Sequence, residues 1–157
     1  MPCSFVESST GLRITFTDNV IEKFKHYKNA NKEAGGLLFT SNIHPNTLTV
    51  DEISLPEKSD SRFFAFFKLN IRLANKRIRK MFESNYQYVG EWHSHPEPFP
   101  KPSETDRKTI LSVFNKSEHN LAYMIHVIIG TQGFDESFVC LTDGNQILTC
   151  NMLSDKD

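Results

Sequence analysis

Two histidines separated by one residue, His93-Ser94-His95, form the first group in the chain whose spacing suits chemistry. In an extended strand, residues i and i+2 share a face and lie about 6–7 Å apart, so two imidazoles can converge on one cation at about 2.0–2.1 Å. Among six histidines in this composition the chance expectation of such a pair is about 0.2, so its surroundings must decide. After seven further residues comes Ser103, and after two more Asp106. Requiring both at those offsets lowers the chance expectation to the order of 0.001. Two neutral imidazoles and a carboxylate make a three-ligand set suited to one zinc ion, with the fourth tetrahedral position left for water. Hydrolysis also needs a carboxylate that takes and returns a proton. Glu33, Glu52, Glu91, Glu97 and Glu104 are the candidates. Glu91 alternates with His93 and His95 along a regular strand, so it competes as a fourth ligand or as the base.

Other groups carry plainer expectations. Ser103-x-x-Asp106 ahead of Ile110, Leu111, Val113 and Phe114 is also what a helix capping box requires, and both roles are compatible. His26, His44 and His119 lie on a lysine-rich helix, in a turn and in a polar loop, while His126 sits in an apolar strand as a hydrogen-bonded core imidazole. Trp92 is expected to pack behind the histidine strand. The segment Lys68 to Lys80 carries six cations and no acid; it reads as a solvated helix face, with an acidic partner as the alternative.

The elements that must position these groups follow from periodicity. Leu12, Ile14 and Phe16 alternate as a strand, and Thr17 or Asp18 caps a helix through Ile21, Phe24 and Tyr27 that ends near Asn31. Gly35 to Thr40 and Leu48 to Ile53 read as a hairpin, and Phe63, Phe64, Phe66 and Phe67 as an aromatic strand. A helix from about Leu69 to Ser84 precedes a strand from Tyr86 to His93. The proline-rich bend 96–102 then leads to a helix near Ser103 to Lys116. Strands at Leu121 to Gly130, Phe134 to Leu141 and Gln146 to Cys150 complete the chain, and the tail 153–157 is expected to fray. Strands and helices mix without strict alternation, which predicts an α+β class: one domain over 1–157, with a mixed sheet and about three helices.

With 157 residues, 38% of them hydrophobic and 24% charged, the chain has material for one core. A net charge of −1 argues against general nucleic-acid binding. The cysteines Cys3, Cys140 and Cys150 have no paired spacing, which suits a reducing compartment. No run approaches the roughly 20 apolar residues of a membrane span, and the first residues lack the order of a secretory signal, so a cytoplasmic protein that does not engage a membrane is expected.

The run His93-Ser94-His95, Ser103, Asp106, with Glu33-Ala34-Gly35-Gly36-Leu37-Leu38 far upstream, resembles the motif of the JAMM (Jab1/MPN/Mov34) metalloproteases. The resemblance extends over roughly Glu33 to Gly130 and implies the fold of that family, a curved mixed sheet with flanking helices. It assigns Glu33 as general acid/base, His93, His95 and Asp106 as zinc ligands, and Ser103 as support for the tetrahedral intermediate. Thr40 departs from the pattern, standing where a second glycine is frequent. The wording Val89 to Pro98 is similar to a bacterial branch that includes proteins of integrative elements and the deconjugating protease of CBASS anti-phage operons. That branch implies an isopeptidase acting at the C-terminal tail of a ubiquitin-like modifier or a cGAS-like nucleotidyltransferase. A hydrolase acting on a sulfur-carrier protein or small amide, and a non-catalytic interaction module, are the alternatives.

Overall fold

The computed structural model describes residues 1–28, 32–57, 60–62, 67–68 and 70–154. In chain order the elements are β1 (Cys3–Val6), β2 (Arg13–Phe16), α1 (Asp18–Lys25), β3 (Gly35–Thr40), β4 (Thr47–Val50), β5 (Glu52–Ile53), β6 (Ser61–Arg62), β7 (Phe67–Lys68) and α2 (Ile71–Glu83). They continue with β8 (Gln87–Ser94), α3 (Glu104–Lys116), β9 (Met124–Ile129), β10 (Phe138–Thr142), β11 (Ile147–Thr149) and β12 (Asn151–Met152). This is the expected mixed α/β class, with three α-helices among the described residues. The main strands form two mixed sheets, ordered β12-β1-β2-β4 and β11-β10-β9-β8-β3-β5, and β6 pairs with β7.

The apolar residues dictate the layering. Ile14, Phe16 and Val50 of the small sheet, Val20 and Phe24 of α1, and Leu38, Val89, Trp92, Ile125 and Val127 of the large sheet are all buried in one cluster. The large sheet thus turns one face to the small sheet and α1. Its other face carries His93, whose register partners are Gly35 on β3 and Ile128 on β9. Trp92 points to the core side, 5.1 Å from the Phe24 ring and 5.5 Å from Tyr27. Its indole N–H donates to the Ser54 carbonyl at 3.0 Å. It therefore backs the histidine strand as expected.

Several boundaries differ from the sequence reading. The anticipated hairpin divides at Asp51: β4 runs parallel to β2 in the small sheet, and only Glu52 and Ile53 turn back against β3. Leu48 and Val50 bury their side chains better between the sheets than on a flat two-stranded ribbon. The strand expected from Phe134 begins at Phe138, because Phe134 enters a short 3₁₀ turn and stacks on Phe24 with ring centroids 5.2 Å apart. Thr17 is the cap of α1, which ends at Lys25. Asn31, Phe63, Phe64, Phe66 and the tail from 155 lie outside the described residues.

One glycine fixes the approach of β8 to β9. A Cβ on Gly90 would lie 1.8 Å from the Ile125 carbonyl oxygen, inside backbone rather than beside a movable side chain. Gly90→Ala is therefore expected to destabilise the fold by about 2–3 kcal/mol through forced separation of these strands. Urea unfolding monitored through Trp92 would show a lower midpoint; an unchanged midpoint would count against this account.

Candidate metal centre

Three side chains meet where β8 ends and α3 begins. His93 projects from the end of β8, His95 follows the strand's last residue, and Asp106 comes from the first turn of α3. The Nε2 atoms of the histidines are 3.1 Å apart; Asp106 places Oδ1 3.3 Å from His93 Nε2 and Oδ2 3.1 Å from His95 Nε2. Two ligands at about 2.0–2.1 Å from one tetrahedral ion stand roughly 3.3 Å apart, so these separations fit a single small cation. Both histidine side chains are only 10% exposed and Asp106 only 17%. Among the described residues this is the group of His, Cys, Asp and Glu that could hold a metal ion.

Local structure explains the convergence. Ser103 is the N-cap of α3: its hydroxyl oxygen accepts from the Asp106 N–H at 3.0 Å, and the Asp106 carboxylate accepts from the Ser103 N–H at 2.8 Å. That reciprocal box holds the carboxylate at the helix start. The preceding bend is anchored where the Thr131 N–H donates to the Glu97 carbonyl at 3.0 Å, and a Cβ on Gly130 would lie 2.4 Å from that same oxygen. On the strand side, the His95 N–H donates to the Ile129 carbonyl at 2.9 Å. Capping and metal ligation are thus two uses of one arrangement.

Glu33 is buried, 5% exposed, just before β3, with its carboxylate 3.7 Å from His95 Nε2. Ser94 ties it to the histidine strand: the Ser94 N–H donates to the Ala34 carbonyl at 2.8 Å, and the Ala34 N–H donates to the Ser94 hydroxyl at 2.9 Å. Burial raises the Glu33 pKa to about 7, with Asp106 and Glu97 adding to the rise against the opposing His95. A carboxylate poised there suits both taking and returning a proton near neutrality.

The remaining electrostatics follow from burial and pairing. Burial opposes ionisation of Asp106, but hydrogen bonds from His93 and His95 outweigh it and hold the carboxyl well below its ordinary value. His95 is disfavoured as a cation by burial, yet Asp106 and Glu97 raise its pKa to about 9 for the side chains by themselves. Burial pushes His93 down. Burial, reinforced by His93, pushes His126 down much further.

The other candidate acids take different places. Glu52 pairs with Lys23, and Glu104 is exposed in the first turn of α3. Glu97 receives the His95 Nδ1–H at 3.0 Å. Glu91 shares the sheet face with His93 but stands outside the three-ligand group. Its carboxylate lies 3.4 Å from the Tyr88 hydroxyl, in a region also lined by His126 and by Ile110 and Val113 of α3. Burial lifts the Glu91 pKa from 4.5 to about 7, partly offset by Tyr88. Folding therefore favours the protonated form; that contribution is complete below about pH 4.5 and is lost as the pH rises through about 7. Glu91→Gln should remove the loss, making the variant more stable than the parent by on the order of 2–3 kcal/mol at about pH 8 and similar at about pH 4. Urea titrations at both values would show it, and equal differences at both would contradict it.

Sequence reasoning weighed Glu97 only as a candidate proton carrier and gave His126 no role at the centre, yet each meets the Nδ1 of a candidate ligand. His93 Nδ1 lies 2.8 Å from His126 Nε2. Glu97 carried a signal, two residues beyond His95. His126 carried none, because its neighbours depend on how β9 registers against β8. The bland expectations for His119 hold: its Nε2 donates to the Phe114 carbonyl at 2.8 Å.

Residues 23–141 match the family described as prokaryotic homologs of the JAB domain. The chain belongs to that family. JAB relatives among curated proteins include one named CD-NTase/cGAS isopeptidase from Pseudomonas aeruginosa, 30% identical over 99 residues that make up 59% of this chain and 61% of the relative. A protein of the same name from Enterobacter hormaechei is 25% identical over 99 residues, 62% of this chain and 55% of the relative. The chain spans little more than half the length of the curated relatives it matches. The solution structure of a Desulfitobacterium hafniense protein superposes with a TM-score of 0.66 at 17% identity, covering 87% of this JAB chain and 88% of that one. At that identity it shows a shared fold alone.

Proposed function

We propose that this JAB domain is a zinc-dependent isopeptidase that cleaves after the C-terminal tail of a ubiquitin-like or nucleotidyltransferase modifier, reversing or processing its conjugation to amines. The observation that carries the reading is the meeting of His93 Nε2, His95 Nε2 and the Asp106 carboxylate within hydrogen-bond distances of one another, with the Glu33 carboxylate 3.7 Å from His95. The names of the relatives support the substrate class, and the resemblance of Val89 to Pro98 supports a setting in bacterial anti-phage defence; we place it in the cytoplasm on the cysteines' lack of paired spacing alone.

His93, His95 and Asp106 would hold the ion through two neutral nitrogens and one carboxylate. When bound, zinc supplies Lewis acidity toward a carbonyl and lowers the pKa of water toward neutrality. Glu33 takes the proton of the attacking water on its carboxylate and delivers it to the departing amine, restoring the ionised base. Ser103 accepts from the Asp106 N–H through its oxygen, which leaves the hydroxyl proton to donate to the developing oxyanion. The tail of the modifier would lie extended beside Glu33: β5 pairs with β3 at Leu38 and Phe39, and Ser54 takes both main-chain groups of Leu37, so the stretch of that edge left for pairing among the described residues is the one at Gly35. Main-chain pairing there would bring a scissile bond toward Glu33.

The test is hydrolysis of a modifier joined through its C-terminus to a reporter amine, with the purified protein, with and without a chelator. Release of the reporter that stops on chelation and returns with zinc is expected. Release that is indifferent to chelation would sink the metal mechanism; no release from any tail of this class would sink the substrate assignment.

A further inference from the structure

We propose that His126 is a positioning residue for the metal centre: it accepts the Nδ1–H of His93 and thereby fixes the tautomer in which His93 presents Nε2 to the ion. This rests on the reading of His93, His95 and Asp106 as a zinc site. His93 Nε2 is the atom that faces His95 and Asp106, so a ligating His93 must carry its proton on Nδ1. That nitrogen lies 2.8 Å from His126 Nε2. The ring centroids stand 4.9 Å apart with planes at 64°, and with the nitrogens 2.8 Å from each other that separation fits an in-plane N–H directed at an in-plane ring lone pair. Two N–H groups cannot face each other at that distance, so His126 Nε2 is the acceptor and its own proton sits on Nδ1.

His126 is held for this task. It stands on β9 with Glu91 of β8 and Cys140 of β10 as its register partners, and it is 7% exposed. Because it meets the Nδ1 side of the His93 ring, it stands away from the ligand group and cannot serve as a further ligand. The second histidine is held in the same sense by a different chemistry, since His95 Nδ1 donates to Glu97 at 3.0 Å. Each imidazole thus offers Nε2 because its other nitrogen is occupied, one by a neutral acceptor inside the sheet and the other by a carboxylate at the surface. Partners of this kind orient ligands and raise their basicity.

Zinc affinity, measured on the full chain by competition with a chromophoric chelator, tests the assignment. His126→Phe keeps the volume but removes the acceptor, and should weaken zinc binding about 10–100-fold. His126→Gln, whose amide oxygen can accept the same proton, should return affinity to within about threefold of the parent. A purely structural His126 would lower the melting temperature of both metal-free variants while leaving zinc affinity alone, and that result overturns the proposal. Nitrogen-15 NMR of the unsubstituted, zinc-loaded protein gives an independent reading even where His126→Phe does not fold: protons on Nδ1 of both His93 and His126 are expected, and a proton on His126 Nε2 overturns it. Failure of the parent chain to bind zinc would instead remove the zinc reading itself, and the role of His126 with it.

Discussion

Glu33→Gln lowers turnover of a modifier–amine conjugate by about a thousandfold while zinc stays bound, because the loss of one positioned proton carrier costs 10²–10⁴ in rate. The expectation follows from three features together. Glu33 is buried, its carboxylate is 3.7 Å from His95 Nε2, and its pKa is raised to about 7 by burial, so it can hold a proton between the two halves of the reaction. The amide has nearly the same shape and leaves Ala34 bonded to Ser94. Turnover measured beside zinc content separates the roles: a variant that keeps zinc and more than a tenth of the parent rate would show that another group carries the proton.

The second large effect is the loss of a ligand. His93→Ala should abolish both zinc retention and hydrolysis, with zinc affinity falling well beyond the roughly 10–100-fold that an outer partner costs. His93 is the best enclosed of the three, placed between His126 on one side and His95 and Asp106 on the other, and alanine supplies no atom in its place. Zinc analysis after dialysis and the reporter assay would read the two losses together. Retained zinc with lost hydrolysis would move His93 from the ligand set to some other duty.

These two variants probe residues that were legible in the chain before any fold was known, and the reason is physical. His93, His95 and Asp106 lie within fourteen consecutive positions, on a strand end, a bend and a capped helix start, each of which has a local signature in Ser94, the prolines and Ser103. Glu33 is sixty residues upstream and was legible only through its likeness to a known motif; the contact of Ala34 with Ser94 that brings it close is a long-range pairing no local pattern encodes. His126 is the hydrogen-bonded core imidazole that was expected, but its contact with His93 was not legible, because parallel register between β8 and β9 leaves no mark on either strand. Glu91 shows the converse. Alternation placed it on the face of His93, as the structure does, yet the companionship of Tyr88 and α3 leaves it outside the ligand group. The hairpin expected across 35–53 failed where one run of alternating residues serves two sheets, a division visible only once β2 is seen beside β4.

The capping box at Ser103 and Asp106 gives one aspartate two allegiances. On the proposed zinc reading, a cation gripped by that carboxylate would also clamp the opening turn of α3, coupling departure of the ion to loosening of the helix tip. Backbone amides 103 and 106 should accordingly trade hydrogen for deuterium more slowly when zinc is loaded, and stripping the ion would then loosen the architecture that holds Asp106 as well as empty the site.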